Sequence, residues 1–105
     1  MHAPEFEAEV QRCISEKIAE HATLSYTQAI ALPECVSNAA VIAREACTLS
    51  VFMQSLQLNR CILVVQLSIP GMRGLASRHW ERGLIFSSEG RTREATELEL
   101  RNTGG

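Results

Sequence analysis

PECVSNAAVIAREACTLSVFMQSLQL, from Pro33 to Leu58, is the stretch whose reading decides the fold. It is mostly apolar and long enough for about seven helical turns. Pro33 suits a first helical position, where its missing N–H costs nothing, and Glu34 complements the positive end of a helix. At helical spacing Val36, Ala39, Ala40, Ala43, Ala46, Cys47, Ser50 and Met53 form a stripe of mainly small side chains. Ile42, Leu49, Phe52 and Leu56 form a bulkier stripe beside it, which leaves Ser37, Asn38, Arg44 and Glu45 on a narrow polar strip. The spacing predicts a core helix over residues 34–57.

Working outward, the preceding segment shows Phe6, Val10, Cys13, Ile14 and Ile18 at intervals of three and four, with Glu5, Glu7 and Glu9 crowding its start. A helix over about 4–21 follows. Ser25 with Gln28 three residues later is a capping-box pattern and announces a short helix over 26–31. On the other side RCILVVQLSI has the β-branched apolar character of a strand, 60–69, while its periodicity alone leaves a helix open. Pro70, Gly71 and Gly74 then predict a loop through GMRGLASRHW. GLIFSS and REATELELR flank a turn at Glu89 and Gly90, which predicts a hairpin of strands 82–88 and 93–101. In its second strand Thr96, Leu98 and Leu100 would face inward and Glu97, Glu99 and Arg101 outward.

The expected architecture is therefore α+β: three N-terminal helices (4–21, 26–31, 34–57) on a three-stranded antiparallel sheet (60–69, 82–88, 93–101). One domain is expected over 1–102, with a disordered tail at 103–105. A strand starting at Arg60 would, as a sheet edge, be apolar and unguarded, which motivates a homodimer.

Composition narrows function. A net charge of −2 favours neither nucleic acid nor an anionic membrane surface. Locally, residues 1–34 carry six Glu against Arg12 and Lys17, whereas residues 70–93 carry five Arg against Glu81 and Glu89. Asp is absent and Lys occurs once, so the commonest carboxylate of nucleophiles and magnesium sites is missing. The opening MHAPEFEAEV is acidic where an export signal is basic and apolar, and the most apolar run, Cys61 to Ile69, is nine residues where a membrane helix needs about twenty. A cytoplasmic protein without membrane association is expected. Cys13, Cys35, Cys47 and Cys61 form no close pair, and His2, His21 and His79 lack ligand spacing, so neither metal nor cofactor is expected.

Two constellations remain. TQAIALPECVSNAAVIAR, within 27–44, resembles the DNA-binding helix-turn-helix family, with Ala31 as the small residue of the first helix and Val41 locking the second. The resemblance implies a reading face of Ser37, Asn38 and Arg44, which holds a single cation where phosphate contacts supply most affinity. The segment 72–93 gathers Arg73, Arg78, His79, Trp80, Arg82, Arg91 and Arg93. Arginines around the only tryptophan either pair with the first helix's glutamates or make a hot spot for an acidic protein partner. For catalysis His79 and Glu81 are the only local pair, with no nucleophile beside them. The residues point to a small non-enzymatic protein-interaction module, with the look of an accessory protein of a bacterial phage or mobile element. A nucleic-acid-binding regulator is the alternative, using either the helix-turn-helix-like stretch 27–44 or the arginine and tryptophan segment 72–93, whose side chains could stack on bases or clasp a phosphate.

Overall fold

A computed structural model describes residues 4–70 and 78–102. In chain order it holds α1 (Pro4–Ala22), α2 (Tyr26–Ile30), β1 (Cys35–Ile42), β2 (Glu45–Leu56), β3 (Arg60–Ile69), β4 (Arg78–Ser87), β5 (Thr92–Glu94) and α3 (Glu97–Asn102). The strands form one five-stranded antiparallel meander in the order β1-β2-β3-β4-β5. The class is α+β, but three helices on a three-stranded sheet is overturned.

The decisive stretch is a hairpin and not the core helix expected over 34–57. Ile42 pairs with Glu45 across a two-residue turn, and the register runs back to Cys35 opposite Phe52. The same apolar residues serve a period of two: Val36, Ala40 and Ile42 share a face with Cys47, Leu49, Val51 and Met53. Ser37, Ser50, Phe52 and Gln54 take the other face. Ala43 and Arg44 make the turn with φ of 49° and 70°. Both values belong to the left-handed region that hairpin turns require and that Gly, Asn or Asp usually fill. Nothing in an Ala-Arg pair announces such a turn. With the second helix gone, the helix-turn-helix resemblance is overturned too: Ser37 and Asn38 are strand neighbours facing opposite sides of the sheet, and Arg44 sits in the turn.

The first two helices and β3 match their expected segments. Ser25 caps α2 as its sequence predicts, its Oγ accepting from the Gln28 amide while Gln28 Oε1 accepts from the Ser25 amide. Phe6, Val10, Ile14 and Ile18 of α1 are buried against Cys61, Leu63, Val65 and Leu67 of β3 and Leu84 and Phe86 of β4. Each such side chain contributes roughly 1.5–3 kcal/mol relative to exposure. β3 is the central strand and not an edge, which explains its unbroken apolar run: both of its faces are covered. On its other face Ile62, Val64 and Ile85 pack with Phe52, Leu56, Ala95 and Leu100.

The C-terminal hairpin is real but short. β5 ends at Glu94, and the chain then turns into α3 instead of continuing as a strand to 101. Thr96 and Glu99 form a second capping box, with the Glu99 amide donating to Thr96 Oγ1 (3.2 Å) and the Thr96 amide to Glu99 Oε1 (2.9 Å). The expected inward Leu98 is instead 66% exposed, while Leu100 docks on the sheet. The predicted loop at GMRGLASRHW also shortens, because Arg78, His79 and Trp80 already belong to β4; its residues 71–77, like the tail 103–105, lie outside the described residues.

Candidate functional site

The sheet separates the arginines expected to act together, because β4 presents alternate residues to opposite faces. Arg78, Trp80 and Arg82 face α1. Trp80 lies 5.9 Å from the Phe6 ring and donates from Nε1 to Glu7 Oε2 at 2.9 Å. The Arg78 guanidinium stands 5.0 Å over the Trp80 ring and 3.5 Å from Glu7 Oε1. Arg82 donates from Nε to Glu94 at 2.6 Å and from Nη1 to Ser15 Oγ at 2.7 Å. These three side chains fasten α1 to the sheet and to β5. His79 points to the opposite face, level with Ser68 of β3. Arg73 lies outside the described residues.

Arg91 and Arg93 stand elsewhere, where the β2–β3 and β4–β5 turns meet. The Ser88 amide donates to the Asn59 carbonyl at 3.0 Å and ties those turns together. Between them, on the face away from α1, lies a hollow of about 650 Å³ lined by Leu58, Arg60, Ile85, Ser87, Glu89, Arg91, Thr92 and Arg93. Arg60 and Ile85 also line a neighbouring hollow of about 530 Å³, which reaches Leu56, Ile62 and the Glu99 and Asn102 side of α3. Together they make an open groove with an apolar floor of Ile62 and Ile85. Its wall carries Leu58, 83% exposed.

Charge in the groove is uneven. Arg93 is engaged by Glu99 through Nη1 to Oε1 (2.8 Å) and Nη2 to Oε2 (2.6 Å). That pairing pulls the Glu99 carboxyl down to about 2 and raises the Arg93 guanidinium further. Among the described residues neither Arg60 nor Arg91 has a carboxylate partner; Arg60 Nε donates only to the Gln57 carbonyl, at 3.4 Å. Two guanidinium groups beside an apolar floor suit a carboxylate-bearing ligand with some apolar surface. Arg60 and Leu58 escaped the sequence reading. Arg60 looked like the first residue of a strand, and only Leu58, an apolar residue at a turn, hinted at a surface.

Ser37 and Asn38 lie on β1, where the Ser37 and Ser50 hydroxyls hydrogen-bond at 2.8 Å. Arg44 is exposed at the hairpin turn. The four cysteines are free thiols. Burial pushes Cys47 and Cys61 above the ordinary thiol value. Among the described residues no three His, Cys or Glu side chains converge as metal donors, and no helix is long and apolar enough to cross a membrane. Comparison with protein-family models, with curated proteins and with solved structures finds no match.

Proposed function

We propose that this chain is a non-enzymatic protein-interaction module that takes an acidic segment of a partner protein into the groove between the β2–β3 turn, the β4–β5 turn and α3. One observation carries this reading: Arg60 and Arg91 hold guanidinium groups without carboxylate partners beside the apolar Ile85 and Leu58. Most other described arginines are neutralised, Arg12 by Glu9 and Glu16, Arg78 by Glu7, Arg82 by Glu94 and Arg101 by Glu97; Arg44, alone at its hairpin turn, is the exception and has no apolar floor beside it. An arginine left for an external carboxylate is good interface material, and the apolar floor adds desolvated area around it.

The test is fluorescence anisotropy with a labelled peptide of alternating Glu and Leu, titrated across salt. Arg60→Glu together with Arg91→Glu should weaken binding by about tenfold or more, with little change in melting temperature, because both side chains are peripheral to the core. Arg78→Glu with Arg82→Glu should instead lower the melting temperature by detaching α1, and is the contrasting variant. Binding that survives loss of Arg60 and Arg91 would overturn the groove. Tight, steeply salt-dependent binding to duplex DNA or single-stranded RNA, with none to the peptide, would overturn the protein-partner reading.

A further inference from the structure

The two edges of this sheet are unlike. β5 is three residues long, carries Arg93 and Glu94, and runs at once into α3, so little of it is open for pairing. β1 is eight residues long and reads CVSNAAVI, with no charge and no proline. Val41 is 73% and Val36 42% exposed. None of the usual devices that blunt an edge is present on it.

The register says which backbone groups are open. The Glu34 carbonyl accepts from the Met53 amide at 3.0 Å, and Ile42 closes the hairpin opposite Glu45. Even-numbered residues of β1 thus direct their N–H and C=O groups at β2. Antiparallel pairing alternates, so those of Cys35, Ser37, Ala39 and Val41 point away from the sheet, where the described residues supply no further strand.

We propose that β1 pairs antiparallel with β1 of a second copy of this chain about a two-fold axis at Ala39, joining two five-stranded sheets into one. An axis normal to the sheet keeps both α1 layers on one side and sets residues of the same face opposite each other. With the axis at Ala39, Ala39 meets itself and Ser37 meets Val41, so the outward N–H and C=O groups of both copies satisfy one another. The small Ala39 side chain does not obstruct the axis. This register also sets Glu34, just before the strand, against Arg44, just after it, at both ends of the interface. Both residues are exposed, and among the described residues neither has an ion-pair partner within its own protomer. A parallel pairing would instead oppose Glu34 to Glu34. Charge thus selects the antiparallel second copy as occupant. The arginine groove lies towards the opposite edge, so this interface neither needs that reading nor blocks it.

Sedimentation velocity from about 1 to about 300 μM tests it, with a monomer–dimer equilibrium expected. Ala39→Pro removes an N–H that bonds no described residue of the protomer and should yield a monomer of unchanged circular dichroism. Ala40→Pro, whose N–H points to Cys47, should unfold instead. Glu34→Arg and Arg44→Glu should each weaken the dimer by about tenfold through like-charge contacts, whereas a one-to-one mixture of the two variants should associate as the native chain does. That mixture decides the matter even if the proline variant fails to fold. A native chain monomeric throughout the range overturns the proposal, as does a dimer indifferent to Ala39→Pro; a dimer indifferent to the charge exchanges overturns the register at Ala39.

Discussion

Glu99 shows how much one side chain organises at the carboxyl end. It caps α3 through Thr96, binds Arg93 in a bidentate pair, and walls the groove. Hydrogen bonding from Arg93, then from the Thr96 backbone, lowers its pKa to about 2 from an ordinary 4.5. A folded value below the unfolded one means that the stabilisation is complete above about pH 4.5 and is lost as pH falls through about 2. Between those values α3 should fray, seen as falling exchange protection of the Leu100 amide, which donates to the Thr96 carbonyl. Glu99→Gln should lose that local dependence; equal acid sensitivity in both proteins would mean the pair contributes nothing. The capping signal, Thr96 followed by Glu99, stood in the sequence just as Ser25 and Gln28 did. Strict alternation in TELEL masked it, because a six-residue helix that half-buries Leu100 leaves the same pattern as a strand.

At the scale of elements, α3 comes closest to the strands over Gly83. A Cβ on Gly83 would stand 2.9 Å from Leu100 Cδ2, 3.0 Å from the Leu63 carbonyl oxygen and 3.4 Å from Ala95 Cβ. Leucine's tip can move, but the β3 backbone cannot give readily. Gly83→Ala should therefore destabilise by about 1–3 kcal/mol in denaturant titration and lift α3 from Ile62 and Ile85. An unchanged midpoint would show that Leu100 repacks without loss. The β1–β2 hairpin teaches the complementary lesson. Its alanines and cysteines fit a helical stripe and a strand face equally well, since small side chains carry little periodicity. The β-branched and aromatic members, Val36, Val41, Ile42, Thr48, Val51 and Phe52, were the available signal for strands.

For the whole molecule, the cysteines report how cooperatively the layers open. Cys35 is exposed, Cys13 half-buried, and Cys47 and Cys61 buried with their thiols pushed up by desolvation. Thiol labelling followed by mass spectrometry should modify Cys35 first, then Cys13, with Cys47 and Cys61 reacting together at the rate of global unfolding. Cys47 reacting well ahead of Cys61 would instead show the β1–β2 hairpin opening on its own. What the sequence by itself determined is local or strongly periodic: α1 from its apolar stripe, α2 from its capping box, and the turn at Gly90, where φ is 87°. The β-branched run of β3 favoured a strand, but an apolar run has no period that separates strand from buried helix. What only the tertiary structure decided depends on partners distant in the chain. β3 is buried on both faces and needs a strand on either side; β2 fills one of those places, and the 34–57 stretch becomes a hairpin despite a left-handed turn at Ala43 and Arg44. The same sheet divides the arginines, sending Arg78 and Arg82 to α1 and leaving Arg91 beside Arg60, because alternate residues of a strand face opposite ways and only pairing fixes which strands are neighbours.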